Sequence, residues 1–415
     1  MENVSSSNGL EKRPKLRFPG FDEPWKVVVL GSILQERNEY SEKDGSYEHA
    51  TLSKEGIYGK TARYDRDFLV STENKKYKVT HYNDLCYNPA NLKFGVICLN
   101  KYGDAIFSPI YITFEIDKEV DVDFLGANLT RWDFINRALR FQQGTVYERM
   151  AVSPEDFLSI QCWLPSKAEQ IRISSLVQTL DQRIDKQEKL VEALKKYKRG
   201  LSDTLFAQIA QSPDCVIVKF GEAFELLQNN TFSREELTDI PSSVQNIHYG
   251  DVLIKYGAVV NIATDMPPYI KPSNDLQKFS RTSYLCDGDV VFADTAEDYS
   301  VGKAAEIVGV NGVSVLSGLH TIPCRPFKKL QPMYLGYYFN SSLFRAQIYP
   351  LVQGTKVSSI SKGELVKVSV HIPNEGDQRR IASMLYSLDL RIVHEEQQVK
   401  ALTDARAAFL HQLFI

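Results

Sequence analysis

The apolar positions between residues 177 and 205 follow a heptad pattern. Successive positions lie alternately three and four residues apart, which predicts a helix with a coiled-coil seam along one face. Two positions of the pattern are polar, Gln187 and Lys198. The apolar seam positions are Val177, Leu180, Ile184, Val191, Leu194, Leu201 and Leu205.

The same pattern returns 208 positions later, and its polar residues, Glu395 and Arg406, stand where Gln187 and Lys198 stand in the first copy. Equal length, equal register and equal polar interruptions predict that the two helices pack on each other rather than each on its own domain. Closed two-fold arrangements dominate among self-associating units, so we expect the pair to be antiparallel. The apolar positions of the second seam are Leu385, Leu388, Ile392, Val399, Leu402, Phe409 and Leu413.

These helices belong to a longer internal repeat. The pentapeptide "LDQRI" at 180–184 returns as "LDLRI" at 388–392. Roughly forty residues around it align without a gap. Further upstream, "QGT" at 143–145 returns at 353–355. We interpret the chain as two half-copies of about 200 residues, each with a divergent front and a preserved tail.

The divergent fronts alternate short β-branched and aromatic runs with Gly, Asn and Pro, which predicts strands joined by turns. One helix is predicted in each front, at 126–141 and at 335–349. The turns "YNPANLKFG" (87–95) and "ADTAEDYSVGK" (293–303) are predicted to occupy equivalent positions. The predicted strand segments are "LCYNP" (85–89), "FGVICL" (94–99), "AIFSPIYITFEI" (105–116), "GDVLIKYG" (250–257), "GDVVFADT" (288–295) and "KAAEIVGV" (303–310).

Together these patterns predict an α+β fold, in which two mixed α/β domains are separated by two long helices. The helices form an antiparallel coiled coil, and an internal duplication relates the halves by a pseudo-two-fold axis. The expected segments are a disordered lead (1–14), a first domain (15–165), a first helix (166–210), a second domain (211–372) and a second helix (373–415).

Composition narrows the class of protein. The chain is 43% hydrophobic, which is ordinary for a globular protein, and it has no apolar run long enough to span a membrane. Its six cysteines are scattered, and the polar start shows no signal peptide, so we expect free thiols and a cytoplasmic location. A net charge of −3 implies that any DNA-binding basic residues are localised, or that a partner supplies most backbone contacts.

Two segments resemble catalytic or nucleotide-binding motifs, but each lacks a residue that the motif requires. "MPPY" at 266–269 is similar to an amino-methyltransferase motif, but Met266 cannot accept a hydrogen bond from a target amine. "VGK" at 301–303 is not a phosphate-binding loop, because Glu297 stands at the first glycine position and Ala304 at the Ser/Thr position. The sequence therefore does not predict an active site of its own.

The order and double occurrence of these features resemble the specificity subunit of type I restriction–modification systems. The resemblance covers essentially the whole chain and includes "KLRFPGFDEPW" (15–25), "GDVVFADTAEDYSVGKAAEI" (288–307) and "QGT" before each tail. It implies that each variable half is a target recognition domain that reads one part of a split sequence in double-stranded DNA. The helices would be the spacer between the two domains and the platform for partner subunits.

The resemblance also implies the partners and their cofactors. Two modification (methyltransferase) subunits would carry S-adenosylmethionine and transfer methyl to adenine N6. Restriction (translocase–nuclease) subunits would use ATP and Mg²⁺. This chain would hold no cofactor and no catalytic residue. For the helices, the predicted coil and partner-interface residues are Leu180, Ile184, Val191, Leu194, Leu201, Leu205, Leu388, Ile392, Val399, Leu402, Phe409 and Leu413.

Base edges in the major groove are read by Arg, Lys, Asn, Gln, Ser and Thr. Ordinary turn chemistry is the alternative interpretation, since "NPAN" stabilises a turn without any ligand. The basic segment "KKYKRG" (195–200) is either a solvated face of the coil or a contact surface. The candidate readers are Lys60, Arg63, Tyr87, Asn88, Asn91 and Lys93 in the first domain, and Thr295, Tyr299, Ser300, Lys303 and Lys356 in the second.

Two other functions stay open at this point. The chain could be a coiled-coil scaffold that holds two ligand-binding domains without touching DNA. A fused methyltransferase is the third possibility, and the missing cofactor and catalytic motifs argue against it.

Overall fold

The computed structural model describes residues 13–42, 45–60, 76–143, 150–354 and 357–415. The chain divides into two compact units. Unit 1 comprises Met1–Gln187 with Gln398–Ile415, and unit 2 comprises Glu188–Gln397. Each unit therefore contains one front domain and a stretch of both long helices.

Unit 1 is built from short strands and helices around the start of one long helix. Its strands are β1 (Lys26–Val29), β2 (Leu34–Glu36), β3 (Tyr40–Ser41), β4 (Glu48–Ser53), β5 (Gly56–Gly59), β6 (Tyr77–Thr80), β7 (Leu85–Tyr87), β8 (Ile97–Leu99), β9 (Ala105–Phe107), β10 (Ile112–Ile116) and β11 (Gln161–Leu164). Its helices are α1 (Val122–Leu129), α2 (Trp132–Ala138), α3 (Pro154–Ser159) and the first part of α4 (Lys167–Gln211), with 3₁₀ turns at Leu30–Ser32, Leu92–Phe94 and Leu139–Phe141.

Three sheets organise the described residues of unit 1. An antiparallel sheet has the order β2-β10-β7-β8, and a mixed sheet has the order β3-β6-β9-β4-β5. A two-stranded antiparallel sheet joins β1 to β11, directly before α4. Aromatic side chains fill the core, where the Tyr87 ring stacks on Phe157 with 4.7 Å between ring centroids. Burial of such rings stabilises the core by removing apolar surface from water.

Unit 2 repeats this plan with its own variations. Its strands are β12 (Val216–Lys219), β13 (Phe224–Leu226), β14 (Leu237–Thr238), β15 (Val244–Ile247), β16 (Val259–Asn261), β17 (Tyr269–Ile270), β18 (Val290–Ala293), β19 (Thr295–Ala296), β20 (Ala304–Val308), β21 (Ser314–Ser317), β22 (Thr321–Pro326), β23 (Ser358–Ser359) and β24 (Ser369–Ile372). Its helices are α5 (Phe220–Ala223), α6 (Tyr249–Ile254), α7 (Ile262–Asp265), α8 (Tyr334–Phe339), α9 (Ser342–Ile348), α10 (Lys362–Leu365) and most of α11 (Glu375–Leu413), with 3₁₀ turns at Arg234–Glu236, Arg281–Ser283 and Tyr349–Leu351.

The sheets of unit 2 match those of unit 1 strand for strand at their centre. The order β13-β22-β18-β20 corresponds to β2-β10-β7-β8, with β16 added in parallel at the edge. The pair β12–β24 corresponds to β1–β11 and likewise precedes a long helix. A mixed sheet, β14-β17-β15-β21, and the short pair β19–β23 complete the unit. The internal duplication predicted from the sequence is therefore visible in the strand order.

The helix predicted in each front is in fact two short helices. In unit 2, Ser341 adopts an extended conformation and its side chain accepts a hydrogen bond from the Phe344 amide, which starts α9 after α8 has ended. In unit 1, Arg131 is extended at the corresponding break between α1 and α2. A serine N-cap favours the start of a new helix over the continuation of the old one. The prediction of a single helix is wrong at both places.

The segment 250–257, predicted as a strand, is largely helix α6. His248 caps the helix, because its Nδ1 accepts a hydrogen bond from the Gly250 amide at 3.2 Å. Asp251 lies in the first turn, where a carboxylate stabilises the positive end of the helix dipole. The run of Val, Leu and Ile indicated a strand, but Ile254 is exposed and Val252 faces the core.

In each unit separately, the long helices run antiparallel. In unit 1, Ile173 and Val177 from the start of α4 share a core with Leu413 from the end of α11. In unit 2, Leu205 from the end of α4 shares a core with Leu385 from the start of α11. The predicted α+β fold with two mixed domains and two packed long helices is confirmed.

A buried glutamine fixes the start of each long helix to its domain. Gln170 donates through Nε2 to the Pro165 carbonyl at 3.0 Å and accepts through Oε1 from the Asp121 amide at 2.8 Å. Because both contacts satisfy buried backbone groups, the amide joins strand end, helix α1 and helix α4. Gln378 makes the same two contacts in unit 2, with Pro373 at 2.7 Å and Gln331 at 2.9 Å.

Candidate DNA interface

The first candidate surface is the turn between β7 and β8. Tyr87, at its start, is fully buried, and its hydroxyl donates to the Val152 carbonyl at 3.0 Å. Burial raises the pKa of the Tyr87 phenol. A side chain in this position supports the core and cannot reach a groove. We therefore correct the prediction for Tyr87 and leave it out of the interface.

Asn88 is also buried, and its side chain builds the turn. Its Oδ1 accepts hydrogen bonds from the amides of Ala90 and Asn91, at 3.1 and 3.3 Å. This Asx geometry is the turn chemistry that the sequence left as the alternative. Asn91 and Lys93, further along the turn, are exposed. These two side chains are accessible, while Asn88 shapes the loop that carries them.

Sequence reasoning missed the aromatic side chains beside this turn. The Lys93 ammonium lies 5.2 Å from the ring centroid of Phe94, and Phe94 is exposed. Trp132, at the start of α2, is exposed too, and it lies against Gly95 at the end of the turn. Exposed aromatic rings next to a lysine are suited to a nucleic-acid surface, because such rings stack on bases or sugars.

Lys60 and Arg63 were predicted further along the chain. Lys60 follows β5 and is half-buried, and its backbone amide donates to the His49 carbonyl at 2.7 Å. Arg63 lies outside the described residues.

The second candidate surface is the loop between β18 and β20. Tyr299 is 86% exposed at its tip. Ser300 and Thr295 are half-buried, and their hydroxyls donate to Asp298 and Asp294 respectively. Both hydroxyls therefore stabilise the loop in this conformation, and the Tyr299 side chain is accessible at its tip. Lys356 lies outside the described residues.

Lys303 ends this loop and is partly buried. Its ammonium donates to the carbonyls of Leu253 and Tyr256, both at 2.9 Å. Burial lowers the pKa of Lys303, and the nearby positive charges of Lys198 and Arg345 lower it further. These contacts give Lys303 a structural role that the sequence did not predict.

Arg345 on α9 holds the same loop from the other side. Its guanidinium donates to the carbonyls of Val301 and Tyr299, at 2.7 and 2.6 Å. The arginine was not predicted, because a basic residue in an aromatic-rich helix gives no signal of where its side chain points. With Lys303, it fixes the backbone that presents Tyr299.

The two loops join equivalent strands. The first connects β7 to β8 and the second connects β18 to β20, and these pairs occupy the same places in the matching sheets. The predicted equivalence of the two turns is therefore met in the strand order. At these equivalent strands, the described loops carry Asn91 and Lys93 in unit 1, and Tyr299 and Ser300 in unit 2.

The long helices supply a seam and an outer face. The twelve residues predicted for the coil interface are all buried or half-buried. Other apolar side chains are exposed on the helix surfaces, which leaves room for further contacts. These exposed residues are Ile171, Leu190, Met384, Leu390 and Val393.

The basic segment at 195–200 contributes to the contacts within unit 2. The Lys195 ammonium pairs with Glu396 at 2.9 Å, and Lys198 pairs with Asp389. Asp389 also accepts a hydrogen bond from the Tyr337 hydroxyl at 2.7 Å, so the second domain is tied to the coil at this point. The segment was predicted to be either a solvated face of the coil or a contact surface. Lys195 and Lys198 form ion pairs with α11, so these two lysines belong to a contact surface within unit 2.

In the ranges that the structure describes, no group of three His, Cys, Asp or Glu side chains is placed to hold a metal ion. Among the same residues, no helix is both long and apolar enough to cross a membrane.

In each unit, a polar loop joins equivalent strands, and the two long helices pack antiparallel. No protein-family model matches the chain. It is 22% identical, over 436 aligned residues, to the type I restriction enzyme MjaVIII specificity subunit of Methanocaldococcus jannaschii, with 99% of this chain and 95% of that protein covered.

Solved structures share the fold over nearly the full length. The S subunit of a type I restriction–modification system from M. genitalium matches with a TM-score of 0.55 and 15% identity, covering 97% of this chain and 99% of that one. A chain of a type I restriction–modification system, solved to explain complex assembly and conformational transition, matches with a TM-score of 0.57 and 18% identity, covering 96% and 99%. The resemblance to type I specificity subunits is confirmed.

Proposed function

We propose that this chain is the DNA-specificity subunit of a type I restriction–modification complex. The observation that carries the proposal is the placement of one polar loop on the same pair of strands in each unit, in a chain similar to such subunits along its whole length. Each loop would contact one half of a split DNA target. A protein that reads two half-sites with two fixed domains leaves the base pairs between them unread.

In this proposal the first half-site is contacted by Asn91 and Lys93, with Phe94 and Trp132 beside them. The second is contacted by Tyr299 and Ser300. Asparagine and lysine read base edges by hydrogen bonds, and an exposed tyrosine adds stacking or a phosphate contact. Asn88, Lys303 and Arg345 position the loops and do not touch bases.

The partners belong to the proposal as well. Two modification subunits would dock on the helices and supply S-adenosylmethionine chemistry, and restriction subunits would join with ATP and Mg²⁺. The chain itself would contribute recognition and no catalytic group. Acting on DNA inside a prokaryotic cell, it would be located in the cytoplasm. The exposed apolar residues of α4 and α11 suit this docking, because protein interfaces bury apolar side chains at their centre.

The test is to express the chain with its modification subunit in a host that lacks N6-adenine methylation, and to map methyladenine across the genome. The expected result is one split motif, methylated on both strands. A matched culture that expresses the modification subunit alone should show no such motif. Methylation without sequence preference, or a continuous motif, would overturn the proposal.

A band-shift experiment separates recognition from scaffolding. The net charge of −3 predicts weak binding by the chain alone. Together with the modification subunit, it should bind a duplex that carries the mapped motif more tightly than one with both half-sites scrambled. Equal affinity for the two duplexes would favour a scaffold that does not read DNA.

A further inference from the structure

Unit 2 contains a cleft between the loop at 297–303, helix α9 and the adjoining stretch of α4, with a volume of about 850 Å³. Ser300, from the candidate reading loop, lies on its wall. Seven charged side chains line the cleft, and five of them are cationic. The cations are Lys195, Lys198, Arg199, Lys303 and Arg345, and the carboxylates are Asp203 and Asp389. A chain with a net charge of −3 therefore concentrates positive charge here.

Two of these cations are partly or fully buried and are held by carbonyl groups. Arg345 is 8% exposed, and its hydrogen bonds go to the backbone of Val301 and Tyr299. Lys303 donates to two carbonyls in the same manner. Among the described residues, neither side chain forms an ion pair with a carboxylate. A buried charge without a counter-ion is costly, so the wall of the cleft favours an anion.

Arg199 stands at the accessible side of the cleft. Its side chain is exposed, and within the described part of the chain it makes no ion pair. Lys195, one turn before it, and Lys198, the residue directly before it, are already paired with Glu396 and Asp389. Among the described residues, Arg199 is therefore the cleft cation that can bind a ligand without breaking an ion pair.

We propose that this cleft holds a phosphate group of the DNA backbone, through Arg199 and the positive wall formed by Lys303 and Arg345. The inference rests on the proposed function and adds a sequence-independent contact to it. A guanidinium binds phosphate oxygens in a two-pronged geometry, which positions the duplex without reading a base. The backbone is favoured over a small phosphate compound because Ser300 of the reading loop forms part of the same wall.

The contact belongs to the second half-site. In the second helix, the positions equivalent to Lys195 and Arg199 are Thr403 and Ala407, so the repeat does not reproduce these two cations. The half-site read by unit 2 would therefore gain a backbone contact that has no counterpart at the equivalent helix position.

The test compares Arg199→Gln with Lys196→Gln in the full chain bound to its modification subunit. Lys196 is an exposed cation on the same helix and does not line the cleft. Affinity for a random-sequence duplex is measured between 50 and 200 mM salt, the range over which a phosphate contact has its clearest effect. We expect the Arg199 variant to bind several-fold more weakly at low salt, with a salt slope about 0.9 shallower than wild type, and the Lys196 variant to match wild type. Discrimination between the motif duplex and its scrambled version should not change.

An equal salt slope for the two variants would overturn this inference while leaving the proposed function intact. So would a change in the bases that the Arg199 variant selects. A last experiment adds inorganic phosphate in place of DNA. If phosphate stabilises the wild-type protein but not Arg199→Gln, and the DNA salt slope is the same for both proteins, the cleft binds a small anion instead of the DNA backbone. A wild-type complex that shows no preference for the motif would overturn the proposed function and this contact together.

Discussion

Asp181 on α4 accepts two hydrogen bonds from the guanidinium of Arg406 on α11. Its counterpart in the second copy, Asp389 on α11, pairs with Lys198 on α4. Arg406 and Lys198 are two of the four polar interruptions of the seams, at equivalent positions of the repeat. Each aspartate of the repeated pentapeptide is therefore the partner of a polar seam residue on the other helix. These two pairs favour one register of the helices over others.

The two pairs are predicted to contribute unequally to stability. Asp389→Ala removes the partner of Lys198 and also leaves the buried Tyr337 hydroxyl without its acceptor, which costs about 1–3 kcal/mol. Asp181→Ala breaks a largely exposed pair and should cost about 1 kcal/mol or less. Hydrogen exchange of the helix peptides in the full chain measures both losses.

Tyr337→Phe provides the control for this comparison. When it is combined with Asp389→Ala, it removes the unpaired hydroxyl and should recover part of the lost protection. Equal losses for the two aspartates would contradict the special role of Asp389.

The elements that could be predicted from the sequence are those defined by local residue patterns. The seams were predictable because coiled-coil periodicity depends on residue spacing alone, and the equivalence of the two loops followed from the internal repeat. The break between α8 and α9 was not predicted. A serine within an otherwise helical pattern does not say whether its side chain faces solvent or caps a new helix, as Ser341 does.

The candidate site was predicted less well than the fold, for a physical reason. A polar or aromatic residue in a turn has the same signature whether it faces solvent or the core. Tyr87 and Asn88 have the composition of a binding turn, yet core packing and an Asx turn occupy them. Lys303 was predicted as a reader, and tertiary contacts with α6 hold its ammonium instead. Neighbours distant in sequence decide these roles.

Substitutions of Asn91 and Asn88 distinguish base contact from loop structure in the first reading loop. Asn91→Ala removes an exposed amide, and its measured effect should be confined to the first half-site, where loss of a bidentate base contact costs about 1–3 kcal/mol. Asn88→Ala removes the hydrogen bonds that hold the turn, and it should lower the free energy of unfolding by roughly 1 kcal/mol. Band shifts with substitutions in each half-site, together with melting curves, distinguish the two outcomes. A loss of assembly in Asn91→Ala would mean that this residue is structural.

We predict that the stability of unit 2 depends on pH because of the buried carboxyl group of Glu306. It is 1% exposed, and its carboxylate accepts hydrogen bonds from the amides of Met333 and Gly336, at 2.6 and 2.9 Å. Burial raises the pKa of Glu306 to about 7, although these amides oppose the rise. Because the folded pKa lies above the unfolded one, the contribution of this group to stability is complete below about pH 4.5 and falls as the pH rises through about 7.

Glu306→Gln cannot ionise, so its stability relative to wild type should rise by about 1 kcal/mol between pH 6 and pH 8. Hydrogen exchange of peptides from β20 and α8, compared between variant and wild type at each pH, measures this change. Unit 2 contains no tryptophan, so the fluorescence of Trp25, Trp132 and Trp163 would report on unit 1 instead. The exposed Glu297→Gln is the control and should show a constant difference. A constant difference for Glu306→Gln would mean that its carboxylate keeps an ordinary pKa.

If the long helices set the spacing of the DNA target, their length should determine the number of unread base pairs. We expect a seven-residue insertion after Lys189 in α4, paired with one after Gln397 in α11, to preserve the seam, because the seam repeats every seven residues. The two positions are equivalent in the repeat and lie at the boundary between the units, so each unit keeps its own helix contacts.

Seven helical residues add about 10 Å, which corresponds to roughly three base pairs of B-DNA. Methyladenine mapping should then return the same two half-sites with a gap longer by about that number. Insertion into α4 alone is the control, since it displaces one seam against the other and should abolish methylation. An unchanged gap in the doubly inserted protein would show that the helices hold the domains without measuring the DNA between their half-sites.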